Sequence, residues 1–250
     1  MAKLVLLDTR VFVGAADLSG WSNKLELDDT IEEKEVTNFR SGGAKELLGG
    51  LETVSISGEG QWEAGDPGKV DDQAWASRRV LDAWTMGATS ASDTAGGSLA
   101  YIAKALRTQF TILGAVGDVA PWSASATGTW PLVRGVFAHP SGVARTTTGS
   151  GTAFQVGEVA AGQRLYATLH VLSVAGTSTP TITVTVQSDS AEAFTTDPQT
   201  RLSFAAATAA GGQVLRTDGS AIVGDDWWRV GWTITGTDPS FLFVAAFGIE

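Results

Sequence analysis

Apolar and polar residues alternate with a period of two along most of this chain, a pattern that predicts strands rather than helices. Between Asn23 and Asp29, Leu25 and Leu27 share one face, with Lys24 and Glu26 on the other. Val54 and Ile56 alternate in the same way with Ser55 and Ser57, until Gly58 and Gly60 predict a bulge or bend. Further on, Ile182, Val184 and Val186 oppose Thr181, Thr183 and Thr185, threonine being well suited to an exposed pleat. Trp228, Val230, Trp232 and Ile234 would face inward from a later strand. The last apolar run has no polar face, because Phe241, Phe243 and Phe247 alternate with Leu242 and Val244. It predicts a strand covered on both sides, partly by a second sheet or another subunit, since exposing Leu242 and Val244 would forfeit about 1.5–3 kcal/mol each.

Other segments break the alternation. The stretch from Asp28 to Gly50 is charged at first and glycine-rich later, and it predicts an extended loop. Val70, Ala74, Trp75, Leu81 and Trp84 fall near one stripe at helical spacing, with Asp71 and Asp72 at the favourable N-terminal end and Gly87 as the stop. Between Ser98 and Gly114 the signals conflict: Leu99, Ile102, Ala103 and Leu106 suit a helix, whereas Phe110–Leu113 suits a strand. Two similar strings, AGTSTP (Ala175–Pro180) and TGTDPS (Thr235–Ser240), read as turns between β runs, from either a repeated hairpin unit or ordinary turn chemistry. GDPGK at Gly65–Lys69 reads as a turn and Gly149–Gly157 as a flexible polar loop.

Composition narrows the class. With 250 residues the chain is long enough for one large β domain or two small ones, and 43% hydrophobic against 18% charged residues excludes wholesale disorder. The absence of cysteine removes disulfides, thiolate metal sites and cysteine nucleophiles, and fits synthesis in a reducing bacterial cytoplasm. Leu4–Leu7 is too short for the apolar core of a signal peptide, and no apolar run is long enough to span a membrane as a helix. A net charge of -10 is the reverse of what a phosphate-gripping protein carries.

No residue pattern points to catalysis or to a metal. The two histidines, His139 and His170, belong to no ligand-spaced motif, and His170 reads as a half-buried strand residue satisfied by a neighbour. The carboxylates, among them Asp28, Asp29, Glu32, Glu33, Asp71, Asp72, Asp225 and Asp226, read as solvated loops and helix ends. Nine tryptophans raise the alternative of a carbohydrate-binding or adhesin β-sandwich. Strand and helix spacing place Trp75, Trp84, Trp228 and Trp232 in the core, and Trp21, Trp62, Trp122, Trp130 and Trp227 are assigned to core or subunit interface.

Several phrases together resemble the major tail tube proteins of long-tailed, siphovirus-type bacteriophages: Arg10–Leu27, Glu35–Gly43, Gly50–Gly65, Gly114–Phe137, Gly162–Val174 and Asp225–Ile249. The resemblance implies a mainly β protein, with a β-sandwich or barrel-like tube domain and one flanking helix over residues 1–140 and a further β-rich region over 141–250. It also favours strands across Ser98–Gly114. By the same likeness the protein is a non-enzymatic virion component without cofactors. It would self-assemble into stacked hexameric rings, or into trimeric rings of duplicated tube domains, and reside in the virion tail. Its implied partners are further copies of itself, the tape measure protein and the tail tip and tail terminator proteins, with DNA passing through unbound. The long loop would reach the adjacent ring through Glu32, Glu33, Phe39, Arg40 and Leu47, and subunits would meet at Trp227, Phe241, Leu242 and Val244. Residues 1–72 hold fifteen carboxylates against seven basic side chains, and acidic groups on a channel wall repel the DNA backbone. Glu26, Asp28, Glu59 and Glu63 are the expected lumen residues.

Overall fold

The computed structural model describes residues 8–65, 69–88 and 96–250. The chain begins with β1 (Thr9–Val13), β2 (Ala16–Asp17), a 3-10 turn (Ser19–Trp21), β3 (Ser22–Glu35), β4 (Leu47–Gln61) and helix α1 (Val70–Ala76). There follow β5 (Leu81–Ala88), β6 (Leu99–Ile112), β7 (Pro121–Gly128), β8 (Val133–His139) and three two-residue strands, β9 (Ala144–Arg145), β10 (Gly149–Ser150) and β11 (Phe154–Gln155). The last elements are β12 (Leu165–Asp189), β13 (Gln199–Ser203), β14 (Gly211–Arg216) and β15 (Trp227–Ile249). Among the described residues the fold is mainly β with one short helix, its strands joined in a single antiparallel sheet.

Strand β6 is the branch point. One edge pairs with β5, while the other pairs with β8 through Leu99–Ile102 and with β7 through Ala105–Ile112. One branch continues β7–β4–β3, the other β8–β15–β12. The first branch and β1–β5 enclose Val54, Ile56, Trp84, Met86 and Trp122, and α1 adds Val70. Buried Arg107 ties α1 to this sheet by donating to the Ala74 carbonyl at 3.0 Å, near the helix C-terminus where a cation is favoured. The second branch buries Ile182, Val184, Trp228, Val230, Phe241 and Phe243 beneath the β12–β15 ladder. A third cluster, including Phe12, Ile102, Phe137, Tyr166 and Val244, joins the two.

The alternating strands lie where the pattern places them: Val54, Ile56, Ile182, Val184, Val186, Trp228, Val230 and Trp232 are buried, and Ser98–Gly114 supplies strand β6. The Asp28–Gly50 loop is corrected to paired strands, from Asp28 opposite Ser55 to Glu35 opposite Leu47, around a turn at 36–46. Backbone pairing needs no buried face, so a solvated ribbon leaves no period-two signal. The helix stops at Ala76 instead of running to Trp84, because Trp84 and Met86 alternate inward from β5 and Gly87 sits inside that strand, opposite Arg10. Trp75, expected in the core, is 55% exposed.

The strings AGTSTP and TGTDPS do not reverse the chain. They face one another inside the β12–β15 ladder, with Ala175 opposite Ser240 and Thr177 opposite Thr237, and the register shifts there. Positive φ at Gly176, Ser178, Thr179, Gly236 and Asp238 supplies the irregular backbone. Nor is Gly149–Gly157 a free loop, since Gly149–Ser150 and Phe154–Gln155 pair with β15. No bulge forms in β4 at Gly58–Gly60; the register shift lies across from it, between Ser22 and Lys24. Gly60 instead permits close approach, as a Cβ there would lie 1.7 Å from the Trp21 carbonyl oxygen. Residues 66–68 of GDPGK and the apolar Leu4–Leu7 lie outside the described residues.

Candidate channel-lining face and projecting arm

The sheet β3–β4–β7–β6 buries one face and leaves the other polar, as the alternation Leu25, Leu27, Val54, Ile56 dictates. Register sets the polar residues in rows across the strands. Lys24, Glu59, Ser123 and Thr111 form one row and Glu26, Ser57, Ser125 and Gln109 the next. The third runs Asp28, Ser55, Thr127, Leu106 and Leu81. Three of the four expected lumen residues, Glu26, Asp28 and Glu59, thus share one surface. Lys24 stands between two of them, 3.1 Å from Glu26 and 3.5 Å from Glu59. The hydrogen bond and charge of Lys24 hold the Glu26 carboxyl below its ordinary range, while Glu26 and then Glu59 raise the ammonium. The face therefore presents hydroxyls, carboxylates, an amide and an ion-paired lysine, with Leu106 and Leu81 exposed where β6 meets β5.

Glu63 stands apart from these rows, past the end of β4. It accepts from Lys69 at 2.7 Å and from the Trp21 indole at 2.9 Å, and these bonds, Lys69 first, lower its pKa. Its place joins the β4 end to the approach of α1, where Trp62 donates to Asp71 at 2.9 Å.

Beyond the third row β4 loses its neighbour, because β7 pairs with it only from Ser55 to Gln61. The β3–β4 hairpin continues as a two-stranded arm. Ile31, Leu48 and Leu51 are 59%, 61% and 78% exposed, and Phe39 at the tip is wholly so. Glu32, Glu33, Arg40 and Leu47 lie on this arm as well, so all five residues expected to reach a neighbouring ring sit together. Glu32 pairs with Lys34 and Glu35 with Lys45 at 3.8 Å, whereas Glu33 and Glu52 have no ion-pair partner among the described residues.

The four residues expected at subunit contacts separate. Phe241 and Val244 are fully buried by the chain's own second and third clusters and have no surface left for a partner, which corrects that expectation. β15 is covered on both sides because the chain folds its own segments over it. Leu242 and Trp227 keep partial exposure.

Tryptophans missing from the alternation turn out to hold the core together. Trp122 is 4% exposed and donates to the Trp21 carbonyl at 3.1 Å, with Trp21 and Trp62 packed against the same cluster. Trp130 packs against Tyr166, and the cations of Lys104 and Arg216 both lie over its ring. Both histidines are fully buried, His170 more deeply than the half-buried position expected of it. His139 Nδ1 donates to the Phe243 carbonyl at 2.9 Å while Nε2 accepts from Arg145 at 2.8 Å. His170 Nδ1 donates to the Gly14 carbonyl at 2.8 Å while Nε2 accepts from Thr85 at 2.8 Å, and Thr85 in turn accepts from Thr168 at 2.6 Å. Among the described residues no group of three or more His, Asp or Glu side chains is placed to hold a metal.

No family model matches the chain. No curated protein matches it either. Among solved structures it is similar to a chain of the virion of a native gene transfer agent particle, with 17% identity and a TM-score of 0.41 over 52% of this chain and 97% of that one. It is also similar to a chain of the sheath–tube complex of the PVC extracellular contractile injection system in the extended state, at 13% identity and a TM-score of 0.42, covering 53% and 90% respectively. The Dit protein of phage SPP1, described as a hub adsorption apparatus of phages infecting Gram-positive hosts, aligns over 97% of this chain and 99% of its own at 12% identity and a TM-score of 0.34.

Proposed function

We propose that this protein is a structural, non-enzymatic subunit of a bacteriophage tail tube, of the siphovirus type that its sequence phrases resemble. In this reading it stacks as rings around a channel that conducts DNA during ejection. The observation that carries the proposal is the β3–β4 arm. A two-stranded ribbon is marginal alone in water, and one that also exposes Ile31, Leu48, Leu51 and Phe39 gains stability only by packing against another chain. Residues 1–140 would form the tube domain and 141–250 a β-rich region beside it. The arm and the helix occur once among the described residues, which favours rings of six copies over trimers of duplicated domains. The tape measure, tail tip and tail terminator proteins would meet the tube along its bore and at its ends, in the virion tail. Electron microscopy of the purified protein at high concentration should show sixfold rings and stacks; a species that stays monomeric throughout would overturn the proposal.

The polar face of β3–β4–β7–β6 is then the channel wall. Its hydroxyls stay hydrated, its carboxylates repel phosphate, and Lys24 is already engaged by Glu26 and Glu59. Glu59→Lys would place a second cation beside Lys24 in every copy, turning that row toward phosphate binding. Tubes should still assemble, since an exposed charge change costs little stability. DNA release from assembled tails should slow, most at low salt where screening is weak. Release at the unaltered rate across salt concentrations would place this face elsewhere than on the bore.

A further inference from the structure

Relative to the third row, Asp28–Ser55–Thr127–Leu106–Leu81, the arm and the α1–β5 connection leave in opposite directions. β3 runs past Asp28 into the arm, whereas β5 starts at Leu81 and climbs the same way, so Val80, Arg79 and Arg78 lie on the other side of that row. Copies related by translation along the strands therefore bring the arm of one toward the α1–β5 connection of the next, a head-to-tail contact that repeats without closing on itself.

The two surfaces are complementary. Between Asp28 and Thr53 the arm carries seven carboxylates against three basic side chains, with Ile31, Leu48 and Leu51 exposed. Trp75 near the end of α1 and Val80 in the α1–β5 connection are 55% and 43% exposed, with Arg78 and Arg79 between them in sequence and the acidic Asp71 and Asp72 at the helix's other end. The Arg78 guanidinium carbon lies over the Trp75 ring, 3.2 Å from its centroid, and neither arginine has an ion-pair partner among the described residues. Arg79 holds a positive φ of 60° where the chain leaves α1. The β6–β7 loop, residues 113–120, is the competing apolar surface on that side, with Val116 and Val119 exposed, but it carries Asp118 and no basic residue. An acidic apolar arm is therefore repelled from the loop and attracted to the arginines.

We infer that the acceptor for the arm is the Trp75–Arg78–Arg79–Val80 surface of a second copy of this chain, with arm carboxylates such as Glu33 and Glu52 meeting Arg78 and Arg79. This inference rests on the self-assembly proposed above and names the surface that receives it. Its test is a charge swap read by electron microscopy and sedimentation, with circular dichroism and thermal unfolding confirming each variant folded. Arg78→Glu/Arg79→Glu should lose stacking by at least tenfold in the protein concentration required, as should Glu33→Arg/Glu52→Arg. Mixing the two variants should restore stacking as an alternating series, because each arm then meets an acceptor of opposite charge, and combining all four changes in one chain should restore it as well. Assembly of the wild type should also weaken with added salt. Normal stacking by the Arg78→Glu/Arg79→Glu variant would overturn the acceptor assignment while leaving self-assembly standing. Failure of the folded four-change chain to recover would overturn the pairing of these charges. A wild-type protein that never stacks would instead overturn the self-assembly reading itself, and this inference with it.

Discussion

Lowering the pH from 7 to 4 is expected to remove on the order of 5 kcal/mol of folding stability through two buried imidazoles. Burial pushes His139 and His170 down to about 4, with the neighbouring Arg145 adding to the effect at His139. Burial outweighs the Nδ1 bond that each ring donates to a backbone carbonyl, which by itself would favour the charged form, and at His139 Nε2 also accepts from Arg145, a group that has no acceptor to offer a second ring proton. The unfolded chain takes up these protons near pH 6.5 and the folded one near 4, so between those values the unfolded state binds more protons. Stability is then full above pH 6.5 and declines as pH falls toward 4, by about 3 kcal/mol for each ring. Desolvated Asp82, whose carboxyl is raised, acts in the opposite sense, while Glu26 and Glu63 are exposed and contribute little. Urea unfolding at pH 7 and pH 4.5 should show the loss, and the imidazole proton resonances of the folded protein should stay unprotonated down to about pH 5. A folded-state midpoint near 6.5 for either ring would refute its burial.

The second large effect is expected at Trp228. Its side chain is fully buried at the centre of the β12–β15 cluster, and its indole donates to the Gly157 carbonyl at 2.7 Å. Trp228→Ala leaves a large cavity and should cost about 3–5 kcal/mol. The stranded carbonyl adds about 1–3 kcal/mol if water cannot reach it. Against a total stability of roughly 5–15 kcal/mol, this amounts to unfolding or near-unfolding of the chain. Trp228→Phe, which keeps most of the apolar volume but not the donor, should fall between the two. Chemical denaturation is the direct measure, and an alanine variant within about 1 kcal/mol of the wild type would contradict the packing described here.

Where one face of a strand is buried and the other carries polar side chains in strict alternation, as in β3 and β4, the sequence announces it. Leu25, Leu27, Val54 and Ile56 established both the first core and the polar surface behind it, because a period of two admits only one register when half the positions must leave water. The grouping of Glu26, Asp28 and Glu59 was legible for the same reason. Glu63 was not, because the alternation ends with β4 and its partners Lys69 and Trp21 come from other segments.

The sequence by itself therefore determined the β class, the inward residues of the long strands and the acidic character of the N-terminal segment. Tertiary structure alone decided three things. It made the Asp28–Gly50 segment a paired arm, since hydrogen bonding between two solvated strands leaves no hydrophobic trace. It ended the helix at Ala76 and turned Leu81–Ala88 into a strand, because pairing with β1 and β6 outweighs a few apolar residues that happen to fall at helical spacing. It also covered Phe241 and Val244 with the chain's own residues: a segment with no polar face demands two partners, but the amino acids do not say whether those partners belong to the same chain or to the next.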